Sequence, residues 1–146
     1  LWGSIGYTLP ATLGTQMANP NRRNILLIGD GSLQLTVQEL STMIRQDIKP
    51  IIFVINNDGY TVERLIHGME ETYNDIRMWD YKALPKVFGG DNVVVHDVKT
   101  SNDLQNVFDA INAAPEQLHF TEVIMKWDDA PAKLRDISKA FAAQNK

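Results

Sequence analysis

The sequence predicts an α/β fold, an open, mostly parallel sheet in three layers with helices on both faces, and three observations carry that expectation. Ile25-Leu26-Leu27-Ile28 and Ile51-Ile52-Phe53-Val54-Ile55 are short, continuous apolar runs rich in β-branched residues, the pattern of strands buried on both faces of a parallel sheet. Between them Leu33, Val37, Leu40 and Ile44 fall in steps of 4, 3 and 4 residues, which places one apolar stripe on a helix and makes a strand, helix, strand unit. The alternation then repeats, with Val93-Val94-Val95, a helical spacing of Leu104, Val107, Phe108 and Ile111, and Val123-Ile124-Met125. Alternating strands and helices point to parallel pairing through crossover connections.

Taken in order, Leu1 to Met17 reads as a helix. Its Gly3, Gly6, Gly14 and Pro10 are costly for an isolated helix but suit close backbone approach to a ligand or neighbour. The first two strands and the helix between them follow. Thr61 can begin another helix, on which Val62 and Ile66 share one face and Glu63 and His67 the adjacent strip. Tyr81 to Phe88 reads as a short helix closed by Gly89-Gly90. Leu104 to Ala114 is the second crossover helix, ended with the help of Pro115, and Pro131 to Ala143 a C-terminal helix with Pro in its first turn.

The 146 residues, 44% of them hydrophobic, suffice for one core, and no break in composition asks for two. Residues 1–146 are therefore read as one domain. Lys and Arg number 14 against 18 Asp and Glu, a net charge of -4, and the basic cluster Asn21-Arg22-Arg23 is small, which argues against a nucleic-acid partner. The run Ile51 to Ile55 falls far short of the roughly 20 residues that span a bilayer, so no membrane segment is expected. The absence of Cys excludes a disulfide framework and a thiolate metal site, and fits a reducing compartment such as the cytoplasm. The chain opens on Leu1 with no charged-then-apolar leader after it, and is expected to be a piece of a longer protein.

Ligands of open α/β sheets bind beyond the carboxyl ends of the strands. The residues there are Gly29-Asp30-Gly31-Ser32 and Asn56-Asn57-Asp58-Gly59-Tyr60. The first places a carboxylate and backbone N–H groups at a helix start, a setting that favours phosphate. Asp30 and Asn57 lie 27 residues apart, about what one helix and its return strand consume, so both can face one site. A carboxylate, an amide oxygen and a main-chain carbonyl are hard ligands apt for Mg²⁺ that completes its shell with a diphosphate and water. The dinucleotide pattern G-x-G-x-x-G fails at Gln34, and the P-loop fails for want of any Gly-Lys-Ser/Thr.

The pair Gly29-Asp30-Gly31-Ser32 and Asn56-Asn57 resembles the bipartite signature of thiamine diphosphate enzymes. Asn56 through Glu63, NNDGYTVE, narrows the resemblance to the 2-oxo acid decarboxylases, which act on pyruvate, indolepyruvate, phenylpyruvate or branched-chain substrates. It extends from LWGSIGYTLPATLG through Ile66-His67-Gly68 to Asp129-Ala130-Pro131. The resemblance implies the thiamine diphosphate-binding fold, with thiamine diphosphate and Mg²⁺ as cofactors. It implies Asp30, Asn57 and the Gly59 carbonyl as metal ligands, Gly31, Ser32 and Tyr60 beside the cofactor, and Gly3 and Ile5 against its rings, Ile5 as the wedge that bends it. Glu63 matches the catalytic carboxylate, and Val62 and Ile66 match positions lining the substrate pocket.

Pyruvate-specific members often carry Ile where this chain has Val62, which points to a bulkier 2-oxo acid: indolepyruvate, phenylpyruvate or a branched-chain compound. A pyruvate decarboxylase is the near alternative; an acetolactate synthase-like carboligase and a non-catalytic metal- or nucleotide-binding module are the further ones. The family also needs a glutamate on a separate pyrimidine-binding domain, usually from a neighbouring subunit. Nothing in the chain matches that domain, so a homodimeric or homotetrameric parent is implied and the chain alone is expected to be inactive. His67, His96 and His119, and Trp2, Trp79, Trp127, Tyr73 and Tyr81, are read as structural.

Overall fold

A computed structural model describes residues 3–144. Four strands, β1 (Ile25–Gly29), β2 (Ile51–Asn56), β3 (Val94–Val98) and β4 (His119–Ile124), form one sheet in the order β1-β2-β4-β3, and every pairing is parallel. The helices are α1 (Thr8–Ala18), α2 (Asp30–Gln34), α3 (Glu39–Arg45), α4 (Thr61–His67), α5 (Leu84–Val87), α6 (Ser101–Ala113) and α7 (Ala132–Gln144). One core cluster joins Leu9, Leu33, Leu40, Met43 and Tyr81 to Leu26, Ile28, Ile52, Val54 and Phe120 of the sheet. On the other face Val107 and Ile111 of α6 pack against Ile51, Phe53 and Val98. Along β2 and β4 the side chains alternate between two covered faces, which makes three layers; β1 departs from the expectation of burial on both faces, since Leu26 and Ile28 are buried while Ile25 and Leu27 on its other face are exposed.

The register brings the functional ends together. Gly29 pairs with Ile55, and Asn56 pairs with Ile124, so Asp30 and Asn57 emerge side by side on the same rim. Past β4 the chain stays on this rim, with the Met125 N–H donating to the Asn56 carbonyl at 2.9 Å. Helix α7 packs along α4.

Three further expectations need correction. The first helix begins at Thr8; residues 3–7 form a loop, because Gly3 (φ +61°) and Gly6 (φ +84°) occupy the left-handed region that a helix excludes. Leu1 and Trp2 lie outside the described residues. The stripe Leu33, Val37, Leu40, Ile44 does face one core, yet its helix is interrupted between α2 and α3. The N–H groups of Leu35, Thr36, Glu39, Leu40 and Ser41 there bond three residues back, a tighter winding. Strand β4 starts at His119, four residues before Val123, because His119, Phe120, Thr121 and Glu122 are also buried. Their mixed polarity hid the strand. Among the described residues, no helix is long and apolar enough to cross a membrane.

Candidate functional site

Asp30 is 1% exposed and bridges the two strand ends. Its Oδ1 accepts from the Gly31 N–H at 2.7 Å and its Oδ2 from the Gly59 N–H at 3.0 Å. Burial pushes its carboxyl above the ordinary range, while the backbone N–H groups of Gly59, Gly31, Asp58 and Asn57 pull it back. A divalent cation placed against this carboxylate offsets the burial penalty directly.

The loop after β2 is wound so that the Gly59 N–H returns to Asp30. Asp58 (φ +57°) and Gly59 (φ +108°) are consecutive left-handed residues. At Gly59 a side chain would clash with the Asn74 carbonyl, so the turn requires glycine. The Asn57 amide closes the site. Its two ends fit in either sense: with Nδ2 donating to Thr61 Oγ1 at 2.8 Å, Oδ1 faces Asp30 Oδ1 and the Gly59 carbonyl oxygen, whereas with the amide turned over its N–H donates to those two atoms at 3.3 and 3.2 Å, the better hydrogen-bonded arrangement when no ion lies between them. In the first sense three oxygens of one carboxylate, one amide and one carbonyl converge, a hard donor set that fits Mg²⁺ or a similar ion, and such an ion would favour that sense over the other. The described residues hold no cluster of three His, Cys, Asp or Glu side chains suited to a metal, and this site needs none, since only one ligand is a carboxylate.

The phosphate side differs from the sequence expectation in its cause. Helix α2 is five residues long, too short for a large dipole, and the Gly31 N–H is taken by Asp30 itself. What remains for an anion is a cation held by the three oxygens, together with Ser32. Ser32 Oγ accepts from the Gly6 N–H at 2.7 Å, and its own proton is left to donate to a phosphate oxygen. Thr36 Oγ1 donates to the Gly6 carbonyl at 2.6 Å, so loop 3–7, carrying Gly3 and Ile5, is tied to the diphosphate side through Gly6. The Tyr60 ring lies against Gly31, where a side chain would collide with it, and Tyr60 OH donates to the Gly31 carbonyl at 3.4 Å. Tyr60 thus supports Gly31 from the side.

Ile5 is 51% exposed and Val62 42% exposed. Glu63 and His67 are half-exposed and paired, His67 Nε2 to Glu63 Oε2 at 3.3 Å, which gives His67 a partner that the sequence did not show. Ile66 lines a groove between α4 and α7 with Leu65, Met69, Arg135 and Lys139, and Val62 stands outside that groove. The structure therefore places the two pocket residues on one helix without enclosing them in a common chamber.

Several residues around the site make contacts that the sequence did not assign to them. Thr61 is buried and donates to the Trp127 carbonyl at 2.7 Å. Asn56 Nδ2 donates to buried Glu122 Oε1 at 2.6 Å, joining β2 to β4 directly beneath the metal loop. Arg64 is buried, bonded to Asp75 at 2.8 Å and stacked 5.4 Å from the Trp127 ring, which secures the segments flanking Gly59.

Comparison with known proteins gives the chain's family and the likeness of its fold. Residues 1–122 match the family described as thiamine pyrophosphate enzyme, C-terminal TPP binding domain. A pyruvate decarboxylase of Aspergillus fumigatus is 50% identical over 100% of the chain and 26% of its own length. An alpha-keto-acid decarboxylase of Mycobacterium tuberculosis is 44% identical over 99% of the chain and 26% of its own length. Among solved structures, the thiamine diphosphate-dependent 4-hydroxybenzoylformate decarboxylase of Rhodococcus jostii RHA1 superposes with a TM-score of 0.73 at 28% identity, covering 86% of this chain and 24% of that one. The chain spans about a quarter of the length of the relatives it matches. With that domain's model matched over most of the sequence, the chain belongs to the family of thiamine pyrophosphate enzyme C-terminal TPP binding domains.

Proposed function

We propose that this chain anchors the diphosphate of thiamine diphosphate through Mg²⁺ in a non-oxidative decarboxylase that converts a 2-oxo acid to an aldehyde and carbon dioxide. The convergence of the Asp30 carboxylate, the Asn57 side-chain amide and the Gly59 carbonyl carries this reading, with the amide turned so that its oxygen faces the cation. These three hold the cation, the cation and the Ser32 hydroxyl hold the diphosphate, and the Gly3 carbonyl and Ile5 meet the rings. When bound, the cofactor supplies the nucleophilic ring carbon and the electron sink that let carbon dioxide leave. Glu63, paired with His67, holds and moves a proton beside the substrate. Calorimetry on the full-length protein tests the anchor: Asp30→Ala and Asn57→Ala should each abolish Mg²⁺-dependent binding of thiamine diphosphate, and retained binding would refute it.

Residues 1–146 act, in this reading, as the diphosphate-binding domain of a larger homo-oligomer. The apolar side chains of Ile25 and Leu27 on edge strand β1 are 63% and 67% exposed, and Ile5, Val62 and Glu63 stand open, as one wall of a shared site would. The pyrimidine-binding domain of the same or a neighbouring subunit completes the site. The isolated chain should then release no aldehyde from any 2-oxo acid with Mg²⁺ and thiamine diphosphate present.

Two substrates are favoured by separate observations. The 50% identical relative is named a pyruvate decarboxylase, which supports pyruvate; the short side chain of Val62 supports a bulkier acid, though one methylene in a pocket discriminates by only about 1–3 kcal/mol. Pyruvate is the substrate proposed. Competition between pyruvate, phenylpyruvate, indolepyruvate and a branched-chain 2-oxo acid on the full-length enzyme decides, and a higher kcat/KM for a bulky acid would reverse the choice.

A further inference from the structure

The Asn57 amide can face the cation site with either end, and one buried hydroxyl distinguishes them. Thr61 Oγ1 carries a single proton. It lies 2.7 Å from the Trp127 carbonyl oxygen, which can only accept, and 2.8 Å from Asn57 Nδ2. Once the proton is given to Trp127, the hydroxyl offers Asn57 only a lone pair. The amide must then present N–H to Thr61 and oxygen to Asp30 and Gly59.

While no cation is bound the opposite arrangement closes more of the local hydrogen bonds, because the Asn57 oxygen otherwise faces only acceptors. The amide N–H would donate to Asp30 Oδ1 at 3.3 Å and to the Gly59 carbonyl at 3.2 Å, with Asn57 Oδ1 accepting from Thr61. That state fills the convergence point with donors and excludes a cation, and the Trp127 carbonyl loses the Thr61 proton. Thr61 is 5% exposed, so bulk water does not readily substitute for its hydroxyl. The Trp127 carbonyl is itself held on the rim, because Met125 N–H bonds the Asn56 carbonyl and Arg64 lies over the Trp127 ring.

We propose that Thr61 is a positioning residue for the metal site: by donating to Trp127 it holds the Asn57 oxygen toward the cation. The segment after β4, which supplies no ligand, thereby sets the polarity of one. The proposal rests on the Mg²⁺-diphosphate reading above.

The test uses the full-length protein with thiamine diphosphate and reads Mn²⁺ affinity by electron paramagnetic resonance, with circular dichroism as the control for folding. Thr61→Val should weaken Mn²⁺ binding by roughly 10- to 100-fold, the usual cost of losing a group that orients a ligand, and Thr61→Ser should restore it. In an Asn57→Asp background both terminal atoms are oxygens and there is no orientation to hold, so Thr61→Val should cost nothing there. Equal losses with Asn57 intact and in the Asn57→Asp background would show a merely structural role and overturn the proposal, as would unchanged affinity in Thr61→Val. Should Thr61→Val fail to fold, Thr61→Ala is compared in the same two backgrounds and read the same way. Asp30→Asn separates the two levels: retained Mn²⁺ binding in that variant sinks the metal-site reading itself, whereas its loss alongside an indifferent Thr61→Val sinks only the role of Thr61.

Discussion

At the scale of single residues, the site depends on backbone conformations as much as on side chains. Gly59 at φ +108° faces the Asn74 carbonyl and the Arg64 guanidinium. Gly59→Ala should therefore cost about 1–3 kcal/mol in urea denaturation, from left-handed strain and steric displacement together, and weaken cation binding with it. Glu63 is half-exposed and paired with His67, and its proposed part is to move a proton rather than to bind the cofactor. In the full-length enzyme Glu63→Gln should lower kcat by roughly 100-fold or more while thiamine diphosphate affinity stays put; a parallel loss of both would move Glu63 into cofactor binding. Asp30 and Asn57 were legible in the sequence because strand ends and a 27-residue spacing mark them. Thr61 stood in the same motif without an assignable role, since its partner, the Trp127 carbonyl, lies 66 residues away and a backbone atom leaves no trace in residue type.

At the scale of elements, Gly6 couples the ring-contacting loop to α2. Its N–H and carbonyl are held by Ser32 and Thr36, and a Cβ on Gly6 would fall 2.9 Å from Leu35 Cβ. Gly6→Ala should weaken cofactor binding in the full-length protein through displacement of loop 3–7, without altering any group that meets the diphosphate; calorimetry measures it. Helix α6 shows the ordinary kind of element stability. Thr100 and Asp103 form a reciprocal capping box, and Thr100→Ala should cost about 1 kcal/mol in thermal or urea unfolding with cofactor affinity unchanged. The stripe from Leu33 to Ile44 predicted the buried face correctly but not the break between α2 and α3. Apolar spacing reports which side is buried, whereas the tighter winding goes with hydrogen bonds from loop 3–7 that periodicity does not register.

At the scale of the whole molecule, two features govern stability. His96 Nε2 and His119 Nδ1 lie 2.9 Å apart between β3 and β4, and His119 Nε2 meets the Ala114 carbonyl at 2.9 Å. Burial, and then the neighbouring His119, hold His96 below its ordinary value of 6.5. The folded state thus prefers neutral His96. Its contribution is fully present above about 6.5, the unfolded value, and is lost as pH falls from there through the lower folded value. Urea midpoints measured from pH 7.5 down to pH 5 should decline, and His96→Asn should flatten that decline. The second feature is the uncovered strip on β1. Leu27→Thr should leave the stability of the isolated chain nearly unchanged, yet cost about 1–3 kcal/mol in the full-length protein if another segment buries Leu27 there. Equal effects in both would argue that the strip stays open.

The sequence by itself determined the strand and helix alternation, the two rim motifs, the hard-oxygen character of the metal ligands and the family they resemble. These follow from local periodicity and from residue chemistry at fixed spacing. Only the tertiary structure decided which groups meet: the register that sets Asp30 beside Asn57, the Gly6 tie between two loops, the buried Asn56–Glu122 pair, the Glu63–His67 contact and the Thr61–Trp127 bond. Most of these join segments far apart in the chain, several through backbone atoms that every residue type shares. Their geometry exists only once the sheet has brought its strand ends onto one rim.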